Sequence, residues 1–361
     1  MFYFLSQFRD LHFGFNLFRY ITFRTGMAAF TTFVLCILLG PVIIRQLRAM
    51  KIGEVAKRDD CPDLDQFQHG KEGIPTMGGL FVVGSIVLSV LLWGDLTNHF
   101  VLLTLMTCIY LAVLGWVDDY RKLKRIGKRG LGKRTKLLWE VLLGCFIGSY
   151  VYFNPSTSTQ LDLPFLKDAI ISLGIFYVPF VALIVIGTSN AVNLTDGLDG
   201  LAIGCVLVVS ITLAILSYIT GHINFSAYLF IPYIADAGEL TVVCAAIVGA
   251  SLGFLWFNCH PASVFMGDTG SLSLGGTLGV MAVLIKKELL LVIIGGVFVM
   301  EAFSVILQII SFRVWGKRIF RMSPFHHHLQ LSGWEESKII IRFWILAVIM
   351  ALIALTTLKI R

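Results

Sequence analysis

Long apolar stretches separated by short polar ones set the pattern of this chain. A helix crosses a bilayer with about 20 mostly apolar residues. Ten stretches approach that length: 22–44, 75–94, 100–117, 135–153, 170–188, 200–220, 239–258, 269–285, 288–312 and 339–358. They predict an all-α polytopic membrane protein of about ten transmembrane helices, built as one integral membrane domain over 1–361. Gly144 with Gly148, and Gly275 with Gly279, have the small-xxx-small spacing that lets helices approach closely. No internal repeat is visible, so the inverted repeats of many transporters gain no support. Residues 1–21 are aromatic but carry no basic start. A cleaved signal needs that basic region, so this segment is expected to lie at the interface and lead into the first span.

Composition sharpens the picture. Of 361 residues 57% are hydrophobic and 14% charged, and the mean hydropathy is +0.84. Soluble domains average about 45–50% apolar and about 25% charged, so a soluble fold is excluded. The seven cysteines show no metal or disulfide spacing and read as packing residues. A net charge of +7 would suggest nucleic acid in a soluble chain; here it reports basic loops. An even number of spans puts both termini on one side. Most Lys and Arg fall in the loops after the first, third and ninth stretches. By the positive-inside rule those loops are cytoplasmic and both termini periplasmic. The loops after the fifth and seventh stretches lie on the same side without any basic residue.

Those loops carry candidate chemistry. Asp118 and Asp119 close the third stretch, where the negative end of a helix disfavours carboxylates. Either a solvated end is neutralised by Arg121, Lys122 and Lys124, or the pair is a divalent-metal or general-base site. Asp196 and Asp199 share a face if their turn is helical, with Asn193 close by; Asp199 alone is also explained as the cap of the sixth span. Asp268 opens the eighth stretch, as a helix cap or beside backbone N–H groups that bind anions. Phe265 offers a ring for stacking or faces lipid. His326, His327 and His328 are consecutive and cannot all reach one ligand. Glu301 and Gln308 fall on one face inside the ninth stretch, and an ionisable group there is a functional candidate. Lys71 and Lys136 stand at cytoplasmic ends as phosphate contacts or topology signals.

Five segments recur in order as in a known family. They are Pro75-Thr-Met-Gly-Gly79, Val117-Asp-Asp-Tyr-Arg-Lys122, Asn190-Ala-Val-Asn-Leu-Thr-Asp-Gly-Leu-Asp-Gly200, Val264-Phe-Met-Gly-Asp268 and Pro324-Phe-His-His-His328. The chain resembles the bacterial phospho-N-acetylmuramoyl-pentapeptide transferases, within the polyprenyl-phosphate N-acetylhexosamine-1-phosphate transferase superfamily. Gln330 stands where the family pattern often has an acid. The resemblance implies a dimeric, ten-span enzyme of the bacterial inner membrane, with its active site on the cytoplasmic face. It implies that undecaprenyl phosphate attacks UDP-MurNAc-pentapeptide to give lipid I and UMP, with Mg²⁺ required. Asp268 would be the principal metal ligand, with Asp118 and Asp119 beside it for metal, phosphate or proton. Asn193 and Asp196 would line the nucleotide-sugar cleft, and Asp199, Lys71 and Phe265 would hold uridine. The three histidines would orient phosphates or sugar; Lys136 and Gln308 are candidate substrate contacts on their positions alone. A covalent aspartyl intermediate is the alternative chemistry. A relative using UDP-N-acetylglucosamine and an ion-coupled transporter are the alternative functions.

Overall fold

The computed structural model describes residues 1–8, 12–50, 73–124, 130–154, 157, 159–163 and 170–359. Lys71 lies outside them. The described residues are helical almost throughout. Eight helices are long and apolar enough to cross a membrane. Two of the predicted spans fall short of that measure. Gly79–Trp93 has only 15 residues, and Gly267–Leu284 has 18 and opens on a polar turn.

In chain order the helices begin with α1 (Ile21–Ala49), α2 (Gly79–Trp93), α3 (His99–Leu123), α4 (Lys133–Phe153) and α5 (Tyr177–Thr195). There follow α6 (Leu201–Thr220), α7 (Ile223–Tyr228), α8 (Leu240–Asn258) and α9 (Gly267–Leu284). The last four are α10 (Glu288–Ile294), α11 (Gly296–Trp315), α12 (Phe325–Gln330) and α13 (Glu336–Thr356). A small antiparallel hairpin pairs Gln160–Asp162 with Ile170–Ser172. The N-terminal segment forms two short 3₁₀ turns, Phe2–Phe8 and Phe13–Arg19. Phe2 and Phe18 meet Trp93 at the end of α2.

Three boundaries differ from the sequence reading. The fifth stretch was expected over 170–188, but its start is a hairpin strand and the helix runs on to Thr195. Asn193 therefore lies on a helix, not in a loop. The ninth stretch breaks at Gly295 into α10 and α11. Asp118 and Asp119 lie before the last turn of α3 rather than at its end, because the helix continues to Leu123.

Helix α9 is the centre of the fold. Every residue from Thr269 to Leu284 is buried, as expected of a helix apolar or small all round. Helices α2, α3, α5 and α6 pack against it. Its small residues permit this: a Cβ on Gly275 would lie 2.5 Å from the Thr188 carbonyl oxygen of α5. Gly144 and Gly148 bring α4 against α5 in the same way, at Ala182 and Val178.

The ends of the bundle carry different charge. At one end lie the start of α9, the later part of α3 and the end of α5. Near the other end, Lys286 and Glu288 form a buried pair 3.1 Å apart that also meets Tyr177. Arg24 and Glu239 pair at 2.6 Å toward that end too. The first end receives Arg48, whose guanidinium approaches the Ser263 carbonyl, and holds Arg121, Lys122 and Lys124 at the end of α3.

Candidate active site

The site is built where three helix ends converge. Gly115 of α3 lets its backbone approach the start of α9: a Cβ there would sit 2.3 Å from the Asp268 carbonyl oxygen. Gly79 does the same for α2, with a notional Cβ 2.2 Å from the Gly270 nitrogen. Close backbone contact brings the side chains of α3 within reach of Asp268.

Asp119 accepts three hydrogen bonds from α9. Its Oδ1 takes the Asp268 N–H at 3.1 Å, and its Oδ2 takes the Thr269 N–H at 3.0 Å and the Thr269 hydroxyl at 2.7 Å. It thus caps a helix to which it does not belong, satisfying donors that have no partner within α9. Two expectations are corrected. Asp268 does not cap its own helix, and the N–H groups of Asp268 and Thr269 are taken. The apolar stretch of α3 ends at Val117, so this carboxylate lies past it. Burial, and then the Asp268 charge, push Asp119 up to about 6, while the Thr269 hydrogen bonds pull it down.

Asp268 faces a different set of groups. Its Oδ2 meets Lys122 Nζ and Lys136 Nζ, each at 3.0 Å, and its Oδ1 accepts from Asn193 Nδ2 at 2.9 Å. The Asn193 amide also donates to Ser271 Oγ at 2.8 Å. Asp118 shares Lys122, with Nζ 2.8 Å from its Oδ2, and takes the Leu131 N–H on Oδ1. The Lys122 ammonium therefore stands between two carboxylates. Lys122 is the exposed member, at 44%, while Asp118 is 5% and Asp268 15% exposed. Four of the predicted residues (Asp118, Asp268, Asn193 and Lys136) form one cluster, and Asp119 supports it.

Glu140 was not foreseen. It is buried one turn beyond Lys136 and accepts from Ser189 Oγ at 3.1 Å and Asn190 Nδ2 at 2.7 Å. It ties α4 to α5 beside Asn193. An acid inside an apolar stretch was the available signal.

The Asp196–Gly200 turn is not helical: α5 stops at Thr195, and Gly200 has φ +78°. Asp196 is half-buried. Asp199 is buried and turned elsewhere. It caps no helix; its Oδ2 meets His260 Nδ1 and the Ala262 N–H, both at 3.1 Å. Its own N–H donates to Glu336 Oε1 at 3.2 Å. Asp199, His260 and Glu336 offer ligand atoms within 4.8 Å of one another, a group the sequence did not suggest.

Phe265 lies on an extended segment, donating its N–H to the Pro75 carbonyl and accepting from the Gly78 N–H, both at 2.8 Å. Its ring is half-buried. The histidines divide, as three consecutive side chains must. His326 Nδ1 meets Glu301 at 3.1 Å, and His327 Nδ1 meets Gln330 Oε1 at 2.8 Å. His328 Nδ1 accepts the Arg321 N–H at 3.2 Å, its ring stacked on Phe325. Gln308 binds the backbone of Ile319 and Phe320. It shapes the segment that leads to the histidines.

A polar cluster of carboxylates, lysines and an amide at the end of a membrane helix bundle suits charged phosphoryl substrates at a membrane surface. The family model for Glycosyl transferase family 4 matches residues 101–286, a span that holds Asp118, Asp119, Lys136, Asn193 and Asp268. The chain belongs to that class of glycosyl transferases. Full-length relatives narrow it. Proteins named phospho-N-acetylmuramoyl-pentapeptide-transferase from Desulforapulum autotrophicum and Citrifermentans bemidjiense are each 51% identical, with 96% of both chains covered. One from Brachyspira hyodysenteriae is 48% identical over 98% of both. The chain is a member of the phospho-N-acetylmuramoyl-pentapeptide-transferase family.

Proposed function

We propose that this chain transfers phospho-MurNAc-pentapeptide from UDP-MurNAc-pentapeptide to undecaprenyl phosphate, forming lipid I and UMP. The names of its full-length relatives support the reaction. The observation that carries the site is the meeting of Asp118, Asp268, Lys122, Lys136 and Asn193 at one end of the bundle. Arg48, Arg121, Lys122 and Lys124 share that end, which supports a cytoplasmic active face, both termini periplasmic and ten spans in a bacterial inner membrane. A homodimer is the assembly the family resemblance implies.

The chemistry is a displacement at phosphorus. An oxygen of the lipid phosphate attacks the β-phosphorus, the bond from that phosphorus to the bridging oxygen breaks, and UMP leaves with that oxygen. Phosphoryl transfer depends chiefly on positioning and on neutralising charge. Lys122 and Lys136 present ammonium groups where the pyrophosphate oxygens would lie. Asp118 is the base that takes the lipid phosphate's proton. Asn193, itself held by Ser271, fixes the Asp268 carboxylate, and Asp119 fixes the helix that carries it. Asp196 lines the nucleotide-sugar cleft. Asp199, Lys71 and Phe265 hold uridine, Phe265 by stacking. His327 and His328 contact sugar or phosphate.

The residues present fit a magnesium ion. A cation, the Lys122 ammonium, already stands within 3.0 Å of carboxylate oxygens of both Asp118 and Asp268, and oxygen donors suit Mg²⁺. Asp118 and Asp268 would hold the ion, which when bound neutralises charge on the pyrophosphate and the departing UMP. Imidazole suits transition metals better, so the Asp199–His260–Glu336 group is not where we place it.

The test is transferase activity of purified protein in detergent with both substrates and Mg²⁺, beside Asp268→Asn. Lipid I from wild type and none from a folded mutant is the expected result. Equal turnover by the mutant would remove Asp268 from the centre, and product from UDP-N-acetylglucosamine instead would replace the substrate.

A further inference from the structure

Two ionisable side chains are sealed between α11, α12 and the turn that joins α5 to α6. Glu301 and His326 are each 0% exposed, with Glu301 Oε2 and His326 Nδ1 3.1 Å apart. Their other polar atoms, Glu301 Oε1 and His326 Nε2, have no hydrogen-bond partner among the described residues. Buried polar groups are nearly always paired, so such an exception asks for a reason. Stability is a poor one: replacing both partners of a buried hydrogen bond by apolar groups of similar shape can be nearly neutral or stabilising.

The geometry supplies another reason. His326 Nε2 is aimed at Gly197: a Cβ at that position would lie 2.3 Å from it. Gly197 follows Asp196, and Asn193 lies one turn earlier on α5 with its amide on Asp268. The Glu301–His326 pair therefore packs against the turn that directly follows the helix end carrying Asn193. Of the three histidines, His326 is the one pressed on this turn. A carboxylate at Nδ1 selects the tautomer with the proton there, which leaves Nε2 as a bare lone pair. A lone pair tolerates the close approach of the Gly197 backbone. A proton on Nε2 would push the turn away, and so would any side chain at 197.

We propose that Glu301 is a positioning residue. By holding His326 in the Nδ1–H tautomer it sets the Asp196–Gly200 turn, and so the place where Asp196 meets the nucleotide sugar. This rests on the proposed reading of that turn as a wall of the cleft. Glu301 touches no substrate; it acts through His326 and Gly197.

The experiment compares full-length wild type with Glu301→Gln, Glu301→Leu, Asp196→Asn and the Glu301→Leu/Asp196→Asn double variant. Lipid I formation is followed with each substrate varied, and thermal melting is recorded for each protein. The Gln carbonyl still accepts the Nδ1 proton, so Glu301→Gln should keep KM for UDP-MurNAc-pentapeptide within about twofold of wild type. Glu301→Leu should raise that KM about tenfold and leave KM for undecaprenyl phosphate unchanged. In the Asp196→Asn background it should add clearly less than in wild type, because one of the residues the turn positions is already gone. Losses that multiply in both backgrounds, or that fall on both substrates alike and follow melting temperature, would overturn the proposal. Should Glu301→Leu not fold, Gly197→Ala presses on the same contact and is held to the same outcomes. Wild type that forms no lipid I would sink the reaction instead. The tautomer is then read from ¹⁵N-histidine spectra, which must show an unprotonated His326 Nε2 that Glu301→Leu alters; an Nε2 protonated in wild type overturns the positioning role.

Discussion

Asp119 caps a helix that begins at Gly267, its Oδ1 3.1 Å from the amide nitrogen of Asp268, 149 residues further along the chain. Its neighbour Asp118 meets Lys122, which it shares with Asp268, and the Leu131 amide. Two adjacent aspartates thus divide their work: one holds the helix that carries Asp268, and the other joins Asp268 around a cation.

That division predicts different failures. Asp119→Asn exchanges one carboxylate oxygen for an amide NH₂ facing backbone donors. It should lower stability by about 1–3 kcal/mol and activity with it, since Asp268 moves when its helix loses the cap. Asp118→Asn should abolish most activity with little loss of stability. Melting temperature and turnover measured on both variants check this. Equal stability of the two would deny Asp119 its capping role.

The close approach of α3 to α9 carries a second prediction. At Gly115 the notional Cβ meets backbone, the Asp268 carbonyl at 2.3 Å, and backbone cannot swing aside as a side chain can. Gly115→Ala should therefore displace the start of α9. The expected cost is about 1–3 kcal/mol, typical of overpacking, with loss of most transfer activity. Gly84, with nothing among the described residues within 4 Å of its notional Cβ, is the control, and Gly84→Ala should be close to wild type in both assays.

How much of this was legible in the sequence follows from what each signal depends on. Apolar run length depends only on local composition, so helices stand at all ten predicted positions. It fails where the chain is interrupted, as at Gly174, which has φ +50° after the Ile170–Ser172 strand, and at Gly295. Carboxylates at span ends announced Asp118, Asp119 and Asp268 as a group. Their partition was not legible, because the Asp119–Thr269 contact depends on how Gly79 and Gly115 let three helices approach. Glu301 was visible as an acid in an apolar run, yet its partner His326 lies 25 residues away on another helix. His260 and Glu336 carried no pattern at all, since they meet Asp199 only through folding.

Lys136 tests the phosphate reading. Its Nζ is 3.0 Å from Asp268 and 16% exposed, so it faces the place proposed for the pyrophosphate. A charge-assisted hydrogen bond is worth about 1.5–3 kcal/mol. Lys136→Met should then raise KM for UDP-MurNAc-pentapeptide by roughly 10- to 100-fold, with a much smaller change for the lipid substrate. Steady-state kinetics with each substrate varied gives the answer. An effect confined to the lipid substrate would move Lys136 to the acceptor side.

Metal removal separates the two acidic groups of the molecule. Chelation should stop turnover by wild type, and Mg²⁺ should restore it in proportion to occupancy of the Asp118–Asp268 site. Asp118→Asn leaves one of the two carboxylates, so any residual activity should need far more Mg²⁺, by roughly tenfold for each 1.4 kcal/mol of lost affinity. His260→Ala should leave the Mg²⁺ concentration for half-maximal activity where it is in wild type. The Asp199–His260–Glu336 group lies within 4.8 Å of itself but includes an imidazole, a ligand better matched to transition metals. Titrating Mg²⁺ into chelator-treated wild type, Asp118→Asn and His260→Ala distinguishes them. A Mg²⁺ requirement that shifts with His260 and not with Asp118 would transfer the ion to the Asp199 group and leave Asp118 and Asp268 with phosphate and proton alone.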